Sequence, residues 1–183
     1  MSKNKIIQLR KKFRKFNIDG YIVPKNDEFF SEYVLFDRLK LISNFTGSAG
    51  IAIILKNKNF LFVDGRYTIQ AKKESGNFFN IVEIHKFLPY KILKNLCLGF
   101  DPKLFTKSQL KFYFRGHFNL KSIDNNLIKK KKNEKFLKKK LFYSIPSKVA
   151  GKNHKFKISK VAKILRKNNA DYLFISASEN VAW

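Results

Sequence analysis

The sequence predicts an α/β domain whose mixed sheet is flanked by helices, followed by the start of a second domain of similar type. Three observations carry this. Short apolar runs alternate with amphipathic stretches over about the first 125 residues. Two of those runs, Ile51–Leu55 and Phe60–Val63, are separated only by Lys56-Asn57-Lys58-Asn59. That gap has hairpin length, so at least one strand pair is antiparallel and the sheet is mixed. Finally, the order seen in Phe16-Asn17-Ile18-Asp19-Gly20-Tyr21-Ile22-Val23 returns in Asn168-Asn169-Ala170-Asp171-Tyr172-Leu173-Phe174-Ile175.

Taken in order, Ile6, Leu9, Phe13 and Phe16 are spaced three, four and three apart, so they share one face of a first helix that Ser2 can cap. Asn17-Ile18-Asp19-Gly20 ends it, and Tyr21-Ile22-Val23-Pro24 is a short strand closed by its proline. Lys25–Glu32 is a polar rim loop, and Tyr33–Ile42 fits neither period clearly. Gly47-Ser48-Ala49-Gly50 suits a tight bend where side chains would obstruct the path. After the hairpin, Thr68–Ser75 reads as a helix, Phe79–Ile84 as a strand, Phe87–Asn95 as a helix and Cys97–Phe100 as a strand. Thr106 is a cap for a helix carrying Leu110, Phe112, Tyr113 and Phe114, and Asn119–Ile123 is a last short strand.

These elements place a first domain at residues 1–128. The lysine clusters Lys129–Lys132 and Lys138–Lys140 mark 129–141 as a solvated linker or exposed helix. Residues 142–183 hold an amphipathic helix through Ile158, Val161, Ile164 and Leu165, then an apolar strand at Tyr172–Ile175. One helix and one strand do not cover both faces of a sheet, so this region reads as the truncated start of a second α/β domain.

Composition narrows the function classes. Apolar residues make up 44%, enough for a core, yet no run of about 18 apolar residues exists to cross a membrane. The basic start leads into an amphipathic pattern rather than a signal-peptide core. A single cysteine, Cys97, precludes an internal disulfide and a cysteine zinc cluster. A cytoplasmic protein is the expectation. The net charge of +26 admits a nucleic-acid or other polyanion partner. Most of the excess is lysine accompanied by Asn, Ile and Phe, and it is spread along the chain. Compositional bias therefore outweighs nucleic-acid binding, and a stand-alone basic binding module stays as the alternative reading.

Chemistry is sparse. His85, His117 and His154 stand apart, with no ligand at metal spacing, and each reads as a surface or packing residue. The glycine bend leads into a strand rather than a helix, so it lacks the dipole of a phosphate cradle. Asp64-Gly65-Arg66-Tyr67 at the end of the second hairpin strand is the better candidate. There Arg66 either pairs with Asp64 and pins the turn, or offers its planar fork to a carbonyl or carboxylate of a ligand. Asp64, Tyr67, Glu32 and Arg38 are candidates for the same rim.

The ordered blocks Ser31-Glu32-Tyr33-Val34, Asn44-Phe45-Thr46-Gly47-Ser48-Ala49-Gly50 and Val63-Asp64-Gly65-Arg66-Tyr67-Thr68-Ile69-Gln70-Ala71 resemble the N-terminal region of Xaa-Pro aminopeptidases, in the creatinase/prolidase-like superfamily. Leu98–Pro102, Ile145-Pro146, Ala150-Gly151 and Glu179–Trp183 resemble later blocks of the same family. Asn44 stands where the family has glycine, Phe29-Phe30 where it has a His-Gln pair, and Lys129–Lys132 in a linker that often carries a Trp. The resemblance implies two related α/β domains, then a catalytic domain with two divalent metal ions, commonly manganese. It implies a peptide substrate with a penultimate proline and a homodimer for the full-length protein. It places no catalytic residue, metal ligand or cofactor in this chain, which alone is expected to be inactive. It assigns Arg66 to substrate contact over the cleft, an orienting role rather than bond chemistry.

Overall fold

The structure is a computed structural model that describes residues 2–31, 34, 36–129 and 143–183. The chain divides into two compact units, Met1–Lys130 and Lys131–Trp183. The candidate Glu32 and all of the lysine-rich linker except Lys129 lie outside the described residues.

In the first unit, helices α1 (Ser2–Arg10) and α2 (Phe13–Phe16) lead into strand β1 (Gly20–Pro24). The expected single helix is thus two, joined through Lys11 and Lys12, and its apolar face survives the break. Ile6, Leu9 and Phe13 are buried, with Phe16 packed beside them. Asn17 then reverses the chain in the left-handed region at φ 47°, where Asn is tolerated. Helix α3 (Arg38–Ser43) occupies the end of the stretch that periodicity left undecided. Its cap is Asp37, whose carboxylate accepts from the Lys40 amide at 2.9 Å. Strands β2 (Gly50–Leu55) and β3 (Asn59–Val63) form the hairpin, and helix α4 (Thr68–Ser75) crosses to β4 (Asn80–Glu83).

Where a longer helix was expected over Phe87–Asn95, only α5 (Pro89–Ile92) forms. Pro89 starts it well, but Leu93 is already extended and Asn95 turns left-handed at φ 54°. Strand β5 (Leu96–Phe100), helix α6 (Lys107–Phe114) and strand β6 (Phe118–Ser122) complete the order.

The sheet runs β4-β3-β2-β1-β5-β6. Strand β2 is antiparallel to both neighbours, whereas β3–β4, β1–β5 and β5–β6 are parallel. All strands except β2 therefore point their carboxyl ends at one rim. Central β1 is buried along its whole length, as a strand covered on both faces must be. One face packs Tyr21 and Val23 against α1, α2, α3 and α4, together with Ile123, Leu127 and Ile128. The other face packs Ile22, Ile53 and Phe62 with Leu104, Phe105 and Phe114 from the β5–β6 connection. The segment after β6 is tied down by polar contacts. Lys12 Nζ donates to the Leu127 carbonyl at 2.6 Å, and Asn126 donates to the buried Asp101 at 2.8 Å.

In the second unit, α7 (Ser147–Ala150), α8 (His154–Lys167) and α9 (Ser178–Ala182) are helical. The amphipathic helix falls where its spacing put it. The expected strand at Tyr172–Ile175 does not form and the segment is irregular. A strand needs a ladder partner for its N–H and C=O groups, and among the described residues none is paired with it.

Candidate functional site

The chain leaves β3 toward one face of the sheet through α4 and leaves β5 toward the other through α6. Such a divergence opens a crevice at the carboxyl rim, the usual ligand position in open α/β sheets. A cleft of about 360 Å³ lies there. Ile51, Phe62, Phe105 and Tyr113 give it apolar walls. Asp64 closes it after β3, His85 after β4, and Gln109 from α6.

Asp64 organises the mouth. It caps a single 3-10 turn, Gly65–Tyr67, by accepting from the Arg66 amide at 2.9 Å. The same oxygen accepts from Arg66 Nε at 2.9 Å, and the second oxygen lies 3.3 Å from His85 Nε2. The Arg66 side-chain bond, then its backbone N–H and the His85 contact, holds the Asp64 carboxyl well below the ordinary carboxylate range. The ion pair between Arg66 and Asp64, one of the two alternatives for this turn, is therefore present. It does not bury Arg66, whose side chain is 74% exposed and lies over the Tyr67 ring at 5.5 Å. The ring of Tyr67 packs edge-on against Phe45, and its hydroxyl lies 2.9 Å from the Ser48 hydroxyl. That bond ties the turn to the glycine bend.

The bend is built by close packing. A Cβ on Gly47 would lie 2.2 Å from Cζ of Phe45, so only glycine passes the ring. Asn44 takes φ 69° at the end of α3, so an amide side chain carries the left-handed turn there. From the other side, Glu74 of α4 accepts from the Thr46 amide at 2.8 Å, the Thr46 hydroxyl at 2.7 Å and Gln70 at 3.0 Å.

Asp64, Arg66 and Tyr67 thus share one turn, and of the three Asp64 lines the cleft. Arg38 does not join them. It is largely buried over Phe36 at 5.3 Å, with Glu28 at 3.9 Å, and it does not line the cleft. His85, expected to be a lone surface or packing residue, stands at the mouth beside Asp64. Gln109 and Tyr113, expected only as part of a helix, line the same space. Residues Asp64 and His85 each follow a parallel strand end, with Val63 opposite Glu83 in the ladder. Only that register would have paired them from sequence. Phe30 lines the cleft with a left-handed backbone at φ 58°.

Residues 5–128 match the family model of the creatinase/prolidase N-terminal domain. The chain belongs to this family. Curated relatives extend the likeness over nearly the whole chain. A probable Xaa-Pro aminopeptidase P of Blastomyces gilchristii is 31% identical over 98% of this chain and 32% of its own length. Xaa-Pro aminopeptidase 1 of Dictyostelium discoideum is 26% identical, again over 98% and 32%. The chain spans about a third of the length of these relatives. Among solved structures, an X-prolyl aminopeptidase from Caenorhabditis elegans, described as a cytosolic enzyme with a di-nuclear active site, superposes with a TM-score of 0.62 at 21% identity. The match covers 93% of this chain and 32% of that one. The aminopeptidase P of Streptococcus thermophilus gives 0.50 at 21% identity, over 69% of this chain and 94% of that one. The mixed sheet between helices is thus the fold of the family's N-terminal domain.

Proposed function

We propose that this chain is the N-terminal part of a metal-dependent Xaa-Pro aminopeptidase, which removes the residue before a penultimate proline. The ordered likeness to aminopeptidase P sequences over 98% of the chain carries this reading. Two divalent metal ions, manganese being the expected element, would supply an activated water for the hydrolysis. Among the described residues no cluster of three His, Cys, Asp or Glu side chains forms, so no ligand set is assigned here. The chain's own residues orient the peptide. Asp64 fixes Nε of Arg66 while the exposed guanidinium stands at the rim, where its planar fork suits a peptide carbonyl. Tyr67 and Ser48 hold the turn in place.

In this reading 142–183 begins the second α/β domain. The enzyme works in the cytosol, as the Caenorhabditis elegans protein is described to do, and its full-length form is a homodimer. Among the described residues no helix is long and apolar enough to cross a membrane. The comparisons lend no support to a stand-alone basic module.

The test is kinetic. In the full-length enzyme with Mn²⁺, Arg66→Ala should lower kcat/KM on an Xaa-Pro peptide by about tenfold to a hundredfold. Its thermal transition should match that of the unchanged protein. Unaltered kinetics would refute the assigned role.

A further inference from the structure

Arg66 accounts for the exposed edge of the rim and leaves the cleft behind Asp64 without a role. Its volume, about 360 Å³, lies within the range of pockets that take small organic ligands, about 300–1,000 Å³. Its lining joins an apolar floor to polar side chains, among them Asn26, Ser48, Asp64, His85 and Gln109. Phe62 is fully buried, Ile51 and Phe105 nearly so, and they form a floor that does not adapt easily.

The electrostatics select among occupants. The two ionised side chains on the wall, Lys25 and Asp64, are already paired. Lys25 Nζ lies 2.5 Å from Asp37, and Asp64 is held by Arg66. A charged group reaching the floor of Ile51, Phe62 and Phe105 would lose its hydration without meeting an opposite charge, whereas an apolar group gains from leaving water there. Position selects further. Asp64 is at once a wall of the cleft and the anchor of Arg66, so a peptide held at Arg66 lies beside the mouth of the cleft. His85 and Gln109 at the mouth can meet the amide groups of such a peptide.

We infer that this cleft is a specificity pocket for an aromatic or branched aliphatic side chain of the peptide, at a residue downstream of its proline. The inference rests on the peptidase reading given above, and it adds a preference that Arg66 alone does not produce. The residue chosen to probe it is Ala49, a small cleft-lining side chain within the glycine bend.

The 183-residue chain, labelled with ¹⁵N, is titrated with the tripeptides Ala-Pro-Phe, Ala-Pro-Leu and Ala-Pro-Asp. Ala-Pro-Phe and Ala-Pro-Leu should move the amide signals of Gly50, Ile84, His85 and Gln109 and bind at least about tenfold more tightly than Ala-Pro-Asp. The variant Ala49→Phe, which fills the cleft, should abolish that difference while its amide spectrum away from the cleft stays unchanged. If Ala49→Phe does not fold, the wild-type shift map and the ranking of the three peptides still decide. Three results would overturn the inference: equal binding of the three peptides, shifts clustered elsewhere, or no shifts at millimolar peptide. Loss of binding in Arg66→Ala together with full binding in Ala49→Phe would sink the cleft and leave the Arg66 reading standing. Unaltered full-length kinetics in Arg66→Ala would sink that reading, whatever the titration gives.

Discussion

Asp64 serves three donors with two oxygens: the Arg66 amide, the Arg66 guanidinium and His85. Its carboxyl is held below the ordinary range, first by the Arg66 side chain, so it stays ionised in the folded state until the solution is strongly acid. Asp64→Asn keeps an oxygen for the Arg66 amide but removes the charge that holds Nε. In the full-length enzyme this should lower kcat/KM severalfold, on the order of one lost charge-assisted bond. The acid limb of its pH–rate profile above about pH 5 should not move, because Asp64 does not titrate there. A displaced limb would mean that Asp64 gains its proton within the working range. At this scale the sequence was legible where chemistry is contiguous. Asp64, Arg66 and Tyr67 share one turn, and the strand end before them marks its place on the rim. His85 reaches the same cleft from the end of β4, and Gln109 and Tyr113 from α6, through a parallel register and a helix placement that no local pattern encodes.

Helix α6 begins with a complete capping box. The Thr106 hydroxyl accepts from the Gln109 amide at 3.1 Å, and the Gln109 side chain accepts from the Thr106 amide at 2.9 Å. Thr106→Ala should cost about 1 kcal/mol and lower the melting temperature by a few degrees, read by circular dichroism. An unchanged melting curve would show that packing of Phe114, not the cap, sets where the helix begins. Elements are also joined by carboxylates. Burial opposes ionisation of Glu74, but the Thr46 hydroxyl and amide and Gln70 outweigh it and lower its pKa. Asp19 is lowered by Lys56 and the Cys97 amide. A depressed folded pKa contributes stability above the unfolded value and loses it as pH falls through the folded one. Urea unfolding should therefore give a flat stability above about pH 5 and a decline below about pH 4. Glu74→Gln should lower the plateau by about 1 kcal/mol and make the decline shallower. A decline as steep as before would place the pH dependence on other carboxylates. Elements were legible wherever burial and period agree, as in β2 and β3 or the face of Ile6, Leu9 and Phe13. They were not where long-range pairing decides. Phe87–Asn95 has helical composition, yet it must turn through Asn95 to deliver β5, and Tyr172–Ile175 has strand composition without a ladder.

For the whole molecule, the core is unevenly divided along the chain. Every buried apolar residue among those described lies between Ile6 and Ile128. The family match ends at Ile128 and the first compact unit at Lys130. The last buried residues, Leu127 and Ile128, are fixed from within that unit through Lys12 and Asn126. In the second unit α8 is amphipathic, yet Phe156, Ile158 and Ile164 along it remain exposed. Cooperative unfolding follows buried apolar area, so the main transition of the 183-residue chain belongs to the first unit. A fragment of residues 1–130 should then melt within about 2 °C of the whole chain, with nearly the same calorimetric enthalpy, since enthalpy scales with the residues that unfold together. The same charge dispersal that leaves +26 on the chain leaves that comparison sensitive to salt, so both proteins are melted at about 0.15 M, where exposed charges are screened beyond about 8 Å. A fragment that melts far lower, or without a cooperative transition, would show that residues beyond 130 contribute to the first unit's stability. The boundary near residue 128 would then be one of sequence family rather than of folding.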